Sequence, residues 1–352
     1  MLPAMLVAAC TASDGGESPV TKSEAAVSSP DSSQGSMEPS ESAAPSPGEG
    51  EFVNPVIDQD MPDPYVLDTG DRYYLYSTTN ITDNYPYATS DDLVHWEQQG
   101  DAMPRLPIWA NGNTWAPEVT ETSAGYVMYF TARAPGLVRP DGASAQCVGV
   151  AVSATPDGPF VDDGNQPLVC QLELGGTIDA SIVRDVDDSL WLIYKNDGNC
   201  CSIPTRFYMR PMSEDGLTFA GDEIEVEGIV NDQVWEGGVV EAPTIFHRDG
   251  SYYLFFSGND YAGPPYAVGY ATSSSLTGPY VDAEENPILS TEGTAIGPGH
   301  QTIIADRDGD LWMVYHAWEW TLNERHVWID ELRFEDGRPV VDGPDAEPQA
   351  VP

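Results

Sequence analysis

Three carboxylates, one imidazole and one indole stand at comparable places in recurring short phrases of the chain. They are Asp63 in "PDPYVL", Trp115 in "WAPEVT", Asp179 in "IDASIV", Glu241 in "VEAPTIF" and His300 in "GHQTII". Asp63 is wedged between Pro62 and Pro64. That is either an ordinary turn or a rigid backbone holding one carboxylate in a fixed place. Three carboxylates without a nucleophilic Ser or Cys motif suit the cleavage of a glycosidic bond. That reaction needs one carboxylic acid to protonate the leaving oxygen and one carboxylate to activate water or to attack. Neighbouring like charges raise the pKa of one group and so supply a usable acid near neutral pH. A third carboxylate can orient the acid and tune its proton affinity. Any one acidic residue beside a turn is more often simply solvated, so the case depends on whether the fold brings these together.

The elements that must do so are visible as repeats. One phrase recurs as "DRYYLYST" (71–78), "AGYVMYFTA" (124–132), "DSLWLIYKN" (188–196), "GSYYLFFSG" (250–258) and "GDLWMVYHA" (309–317). Each is a short aromatic and β-branched run of the kind that forms a strand. A polar-turned hairpin phrase follows each copy, and one of the five apolar phrases above precedes it. The unit is three or four antiparallel strands of about sixty residues, present five times. One such sheet cannot bury both faces alone, so the copies are predicted to pack radially as an all-β, five-bladed β-propeller. Counting back from the first apolar residue of each phrase, ten positions from Tyr73 and eleven from Tyr126, Leu190, Tyr252 and Leu311, gives Asp63, Trp115, Asp179, Glu241 and His300. These are predicted to occupy equivalent positions at the start of the innermost strands and to converge at one mouth of the central channel.

Composition sets the surroundings. The formal charge is −43, and only Lys22 and Lys195 are lysines. Nucleic acid is excluded as a partner, because its phosphates would be repelled; a neutral substrate is indifferent to that charge. The N-terminal "MLPAMLVAAC" (1–10) resembles a truncated lipoprotein signal closing on a lipobox cysteine, Cys10, although it lacks a basic n-region. A chance apolar N-terminus is the alternative. Residues 11–50, rich in Ser, Pro, Gly and Glu, cannot bury enough apolar surface to order themselves and read as a disordered tether. Its reach would be about 35 Å. The globular part is then 51–352, expected to be extracellular or at the cell surface, to meet a membrane only through a lipid anchor, and to be monomeric. In an exported protein Cys147 and Cys170 form a reasonable disulfide, while Cys200 and Cys201 are a vicinal bridge or free thiols.

The phrases "NPVIDQDMPDPYV", "WAPEV", "TIDASIV", "WEGGVVEAPTIF" and "GPGHQT", in this order and at blade spacing, resemble glycoside hydrolase family 43 over roughly residues 52–342. The resemblance implies an inverting hydrolase that releases arabinofuranosyl or xylosyl units. It implies Asp63 as general base, Glu241 as general acid and Asp179 as the residue that modulates the acid's pKa. An inverting pair stands about 6.5–9.5 Å apart, leaving room for water. His300 resembles an axial histidine near an ion or water cluster, often calcium; because calcium prefers oxygen, any ion would be reached through water. No cofactor is required for the reaction itself. Trp115 is expected to wall the sugar or to pack between blades. Arg325 in "ERHVWIDEL" resembles an arginine reaching sugar hydroxyls, with a surface salt bridge as its rival. Trp235, together with Trp109, Asn196 and Trp318, is expected near the mouth. The chain departs from the family in reading "DAS" at 179–181 where "DPS" is common. "CVGVAVSATPDGPF", "PLVC" and "YKNDGNCC" resemble the exo-acting arabinofuranosidase branch, making terminal α-L-arabinofuranose of arabinan or arabinoxylan the leading substrate and β-xylosides the next. The fructoside-cleaving propellers' "WMNDPNG", "RDP" and "EC" motifs are absent. A propeller phosphorylase would want a basic phosphate-binding cluster that this chain lacks. A non-catalytic carbohydrate-binding propeller is the alternative from another class. It could keep the aromatic wall while losing an acid, whereas here all three carboxylates remain. A purely structural scaffold would have no reason to place them in register.

Overall fold

The computed structural model describes residues 47–352. The lipobox Cys10 and most of the tether (1–46) lie outside them. A short strand, β1 (Glu51–Phe52), precedes the first blade, made of β2 (Tyr65–Asp68), β3 (Tyr73–Tyr76), β4 (Pro86–Ser90) and β5 (Glu97–Asp101). Blade 2 has three strands, β6 (Trp115–Thr122), β7 (Gly125–Val138) and β8 (Ser144–Ser153). Blade 3 comprises β9 (Thr177–Arg184), β10 (Leu190–Asn196), β11 (Phe207–Pro211) and β12 (Ile224–Glu225). Blade 4 comprises β13 (Val240–Arg248), β14 (Ser251–Gly258), β15 (Ala267–Ser273) and β16 (Val281–Asp282). Blade 5 comprises β17 (Ile296–Ala305), β18 (Leu311–Trp318), β19 (Arg325–Glu335) and β20 (Arg338–Val341). The last strand, β21 (Gln349–Ala350), returns to pair with β1. Each blade is an antiparallel meander in sequence order, and no α-helix occurs among the described residues.

The recurrent phrases are the second strands, and their unbroken apolar character follows from the architecture. Side chains alternate across a strand, and both faces of a blade meet another blade. Thus Val127 and Tyr129 pack toward blade 3 while Met128 and Phe130 pack toward blade 1. Tyr253 and Phe255 face blade 5 while Leu254 and Phe256 face blade 3. The five apolar clusters among the described residues are the five interfaces between blades, the fifth closing blade 5 on blade 1 through Trp312, Val314, Val66 and Leu75. The segment before blade 1 staples this closure. Ile57 bridges Val327, and the Asn54 side-chain amide donates to Ile329 O at 2.8 Å and Asp345 O at 3.0 Å.

The innermost strands β2, β6, β9, β13 and β17 touch in a closed ring around the axis. Each begins with the same irregularity. Three residues of the inner strand run against two of its neighbour between the pairs Trp115/Thr131 and Glu118/Tyr129, and likewise from Ile178, Glu241 and Gly299. In blade 1 the equivalent bond joins Thr78 N–H to Pro62 O at 3.0 Å. This is a β-bulge repeated five times, and the residue that follows the paired one has positive φ in every blade. Those residues are Asp63 (55°), Ala116 (44°), Asp179 (52°), Ala242 (51°) and His300 (53°).

The register expected from counting is therefore corrected. Asp63, Asp179 and His300 share the strained bulge position, whereas Trp115 and Glu241 sit one residue earlier, where the other blades carry Pro62, Ile178 and Gly299. Turns before the second strands differ in length by a residue, which is why counting back from them misaligned the blades. Non-glycine residues at positive φ are uncommon and concentrate at functional sites; here five of them ring one end of the axis.

Candidate active site

Asp63 stands at the bulge of blade 1, and four neighbours converge on it. Arg325, at the start of β19, donates to Oδ1 at 2.8 Å, and Thr78 donates to Oδ2 at 2.6 Å. The Nδ1 atoms of His316 and His300 lie 3.2 Å and 3.4 Å from Oδ1. His316 Nδ1 accepts the Asp63 backbone N–H at 3.1 Å, so the proton of a neutral His316 ring belongs on Nε2. Burial, aided by the Arg325 charge, pushes this imidazole down to about 4 and keeps it neutral. Burial alone would raise the Asp63 carboxyl. The Arg325 charge, with His300 beside it, outweighs it and holds Asp63 well below the ordinary carboxylate range. Asp63 is thus a fixed, ionised carboxylate.

The other half of the site holds two carboxylates. Glu241 Oε2 accepts from Lys195 Nζ at 3.0 Å and from Asn199 Nδ2 at 2.9 Å, and Oε1 accepts from Tyr266 OH at 2.9 Å. Burial again opposes ionisation, but the Lys195 charge and these three donors pull the Glu241 carboxyl below its usual value. Asp179, one blade away, accepts the Ala242 N–H on Oδ2 at 3.1 Å. Burial, with the Glu241 charge adding to it and the His300 charge acting against it, raises Asp179 to about 6. Within the pair the Glu241 carboxyl is pulled down and the Asp179 carboxyl raised, so below about pH 6 the proton they retain is favoured on Asp179.

The charge count explains the difference. Three carboxylates face two permanent cations, Arg325 and Lys195. One carboxylate is matched by Arg325; the other two share Lys195, and like charges that close cannot both ionise freely. Such a pair titrates as a unit. The two halves are joined by Tyr266, whose hydroxyl touches Glu241 while its ring stacks on His316 at 5.9 Å and 8°. Below the bulges, Asp179, His300 and Glu118 line a closed space of about 10 Å³, room for about one water. Glu118 accepts the Ile182 N–H at 3.1 Å, and burial pushes it up to about 8.

Calcium takes about six to eight oxygen ligands. Among the described residues no group of three or more His, Cys, Asp or Glu side chains is disposed to hold a metal, and His300 and His316 offer nitrogen. The axial residues do not fit a calcium ion held by the protein, and no step below uses one.

Around the mouth, Arg325 lies over the rings of Tyr261 (5.2 Å) and Trp318 (5.4 Å), which stack on each other. Trp318 also lines a cleft of about 480 Å³ with the exposed Trp320 and Trp328. Trp115 is half-buried at the register of Glu241 and pairs with no aromatic ring among the described residues. Three expected mouth residues are placed elsewhere. Trp235 packs on Phe256 at 5.4 Å, its ring so close over Gly258 and Gly269 that a Cβ at either would clash. Trp109 stacks on Phe130 and donates to Asp162. The Asn196 amide serves the carbonyls of Leu174 and Pro204. Cys147 is bridged to Cys170, and Cys200 to Cys201.

The sequence profile of glycosyl hydrolases family 43 matches residues 52–339. The chain belongs to this family. It is a glycoside hydrolase. It is 26% identical to a β-D-galactofuranosidase of Aspergillus niger, over 82% of this chain and 84% of that one. It is 25% identical to an extracellular exo-α-(1→5)-L-arabinofuranosidase of Cellvibrio japonicus, over 74% and 79%. A solved thermostable family-43 glycoside hydrolase superposes with a TM-score of 0.75 at 33% identity, covering 86% of this chain and 99% of that one.

Lys195, His316, Tyr266, Asn199, Thr78 and Glu118 were not singled out from the sequence. For three of them a signal was present. Lys195 and His316 are the polar residues that break off the apolar run in their copies of the repeated phrase, and Thr78, which follows Ser77, stands at the same position of the first copy, the one that holds Thr131 and Ser257 in the other two.

Proposed function

We propose that the protein is an inverting exo-hydrolase of terminal pentofuranosides, with α-L-arabinofuranose as its leading substrate. The observation that carries this reading is the opposite electrostatic setting of Asp63 and of the Asp179–Glu241 pair on one ring of bulges. Asp63, ionised beside Arg325, takes a proton from water as the water oxygen attacks the anomeric carbon. Glu241 gives its proton to the glycosidic oxygen as the bond from that oxygen to the anomeric carbon breaks. Asp179 stores the pair's proton in the resting site. A neutral sugar covering Glu241 excludes water and favours the uncharged carboxyl there, so the proton is on Glu241 when the leaving oxygen meets it. Arg325, fixed on the Tyr261–Trp318 pair, keeps Asp63 charged, and the aromatic faces suit the apolar side of a sugar ring.

The preference for a furanose is supported by relatives named as an arabinofuranosidase and a galactofuranosidase. Others are named for xylosides. The relatives named as extracellular support an exported protein, anchored through Cys10, that meets arabinan or arabinoxylan outside the cell. Product analysis on arabinan, arabinoxylan and xylo-oligosaccharides tests the substrate. Monomeric arabinose, with the inverted anomer seen first by NMR, is expected. Release of xylose alone would move the assignment to β-xylosides, and sugar binding without hydrolysis would overturn the catalytic reading.

A further inference from the structure

Behind the ring of bulges lies a second ring of residues, Thr78, Thr131, Lys195, Ser257 and His316, all buried. Each is the cross-strand partner of the residue that precedes a bulge. In three blades this residue accepts the bulge N–H of the next blade. Ala116 donates to Thr78 Oγ1 at 2.9 Å, His300 to Ser257 Oγ at 2.9 Å and Asp63 to His316 Nδ1 at 3.1 Å. An acceptor thus serves the next blade in three of the five positions, and Thr131, whose Oγ1 makes no bond, could serve as one. Lys195 has three donors and no lone pair to offer. The N–H it would have served, that of Ala242, goes to Asp179 instead.

A buried ammonium is costly unless paired, so a lysine where the scaffold wants Thr, Ser or His is explained by what its ammonium touches. Nζ bonds Glu241 Oε2 at 3.0 Å and Asn199 Oδ1 at 2.7 Å, while Asn199 Nδ2 donates to the same Oε2. The three groups form a closed triangle. Asn199 is held in the turn Gly198–Cys201, which the Cys200–Cys201 bridge closes.

We propose that Lys195, seconded by Asn199, is the positioning residue that pins Glu241 and sets how readily it releases its proton. This rests on the reading of Glu241 as the acid. The titratable groups facing Glu241 are Lys195 on β10, Asp179 on β9, Tyr266 before β15 and Asp197 after β10; His300 and Asp63 face Asp179, and Arg139 faces Asp197. Lys195 is the cation in contact with Glu241. Without it Glu241 and Asp179 both hold protons more tightly, and the alkaline limb of the activity profile moves to higher pH.

The test is the pH dependence of kcat/KM on an unactivated arabino-oligosaccharide for Lys195→Thr, which restores the side-chain type of blades 1 and 2. The alkaline limb is expected to rise by about 1 unit or more, and exposed Asn199→Ala to move it the same way by less. A folded Lys195→Thr protein with its limb unmoved, whatever its rate, would overturn the proposal. If that variant does not fold, Asn199→Ala decides, and an unmoved limb there has the same force. Glu241→Gln run in parallel separates the two readings. Full activity in Glu241→Gln removes the acid assignment itself, whereas an inactive Glu241→Gln with unmoved limbs in the other variants removes only the role of Lys195.

Discussion

The two halves of the site use the same ingredients, buried carboxylates and one buried cation, in different ratios. The Arg325 guanidinium contacts one carboxylate, Asp63, and the group stays ionised. The Lys195 ammonium, bonded to Glu241, acts on Asp179 and Asp197 as well, and a proton is retained up to about pH 6 on Asp179. The balance of charge, rather than residue type, separates the two halves. The cations differ in kind as well. Arg325 has a planar guanidinium laid over Tyr261 and Trp318, a site where Lys would lose the stacking. Lys195 is a compact point charge, enclosed, with Asn199 beside it.

The largest effect that would break this comparison comes from Asp63→Asn. Neutralising the carboxylate that Arg325 holds ionised is expected to lower kcat on arabino-oligosaccharides by about 10²–10⁴-fold with no loss of thermal stability beyond a few degrees; near-native turnover would remove Asp63 from the reaction. Arg325→Met comes next. Removing the cation raises the Asp63 pKa by about 1–3 units, so the acid limb of kcat/KM moves up while the alkaline limb stays. A shift of the alkaline limb instead would show that Arg325 serves the other half.

Asp179→Asn sharpens the comparison through stability. Because Asp179 is raised from 3.8 to about 6, the folded chain keeps a proton in that window which the unfolded chain gives up. Stability therefore falls as pH rises through it. Asp179→Asn removes this term, and urea denaturation at pH 7 is expected to show a gain of roughly 3 kcal/mol that shrinks to a fraction of a kcal/mol near pH 4. A gain of the same size at both pH values would contradict a protonated Asp179. The smallest effect is expected from Trp235→Phe. Its ring is committed to packing on Phe256, Gly258 and Gly269, so kcat/KM should stay within about twofold; a marked rise in KM would assign Trp235 to the sugar site.

The fold was legible because each second strand is apolar on both faces over four or five residues, a pattern that burial of both faces maintains. Asp63, Asp179 and Glu241 were legible because they sit beside those strands at repeated intervals. Their exact register was not. The turn before the second strand is one residue longer in blades 3 and 5, and nothing in the sequence marks the bulge residue, which is Asp, Ala or His, so counting back aligned Trp115 and Glu241 one place too early. Trp235 was misplaced for a related reason. An indole near a blade mouth packs equally well on Gly258 and Gly269 as on a sugar, and those glycines become neighbours only in three dimensions. Lys195 was noticed as one of two lysines, but its meaning depends on Thr78, Ser257 and His316 accepting bonds where it cannot.

The most direct measurement compares leaving groups. Aryl arabinofuranosides with increasingly acidic phenols are hydrolysed by Glu241→Gln and by Asp63→Asn, and kcat/KM is plotted against the phenol pKa. A missing proton donor is rescued by a good leaving group, whereas a missing base is not. Glu241→Gln is expected to approach the native rate on the most acidic phenols and to fall steeply on the least acidic, while Asp63→Asn stays uniformly slow. The reverse pattern, or equal slopes for both variants, would contradict the division of the site into a base half and an acid half.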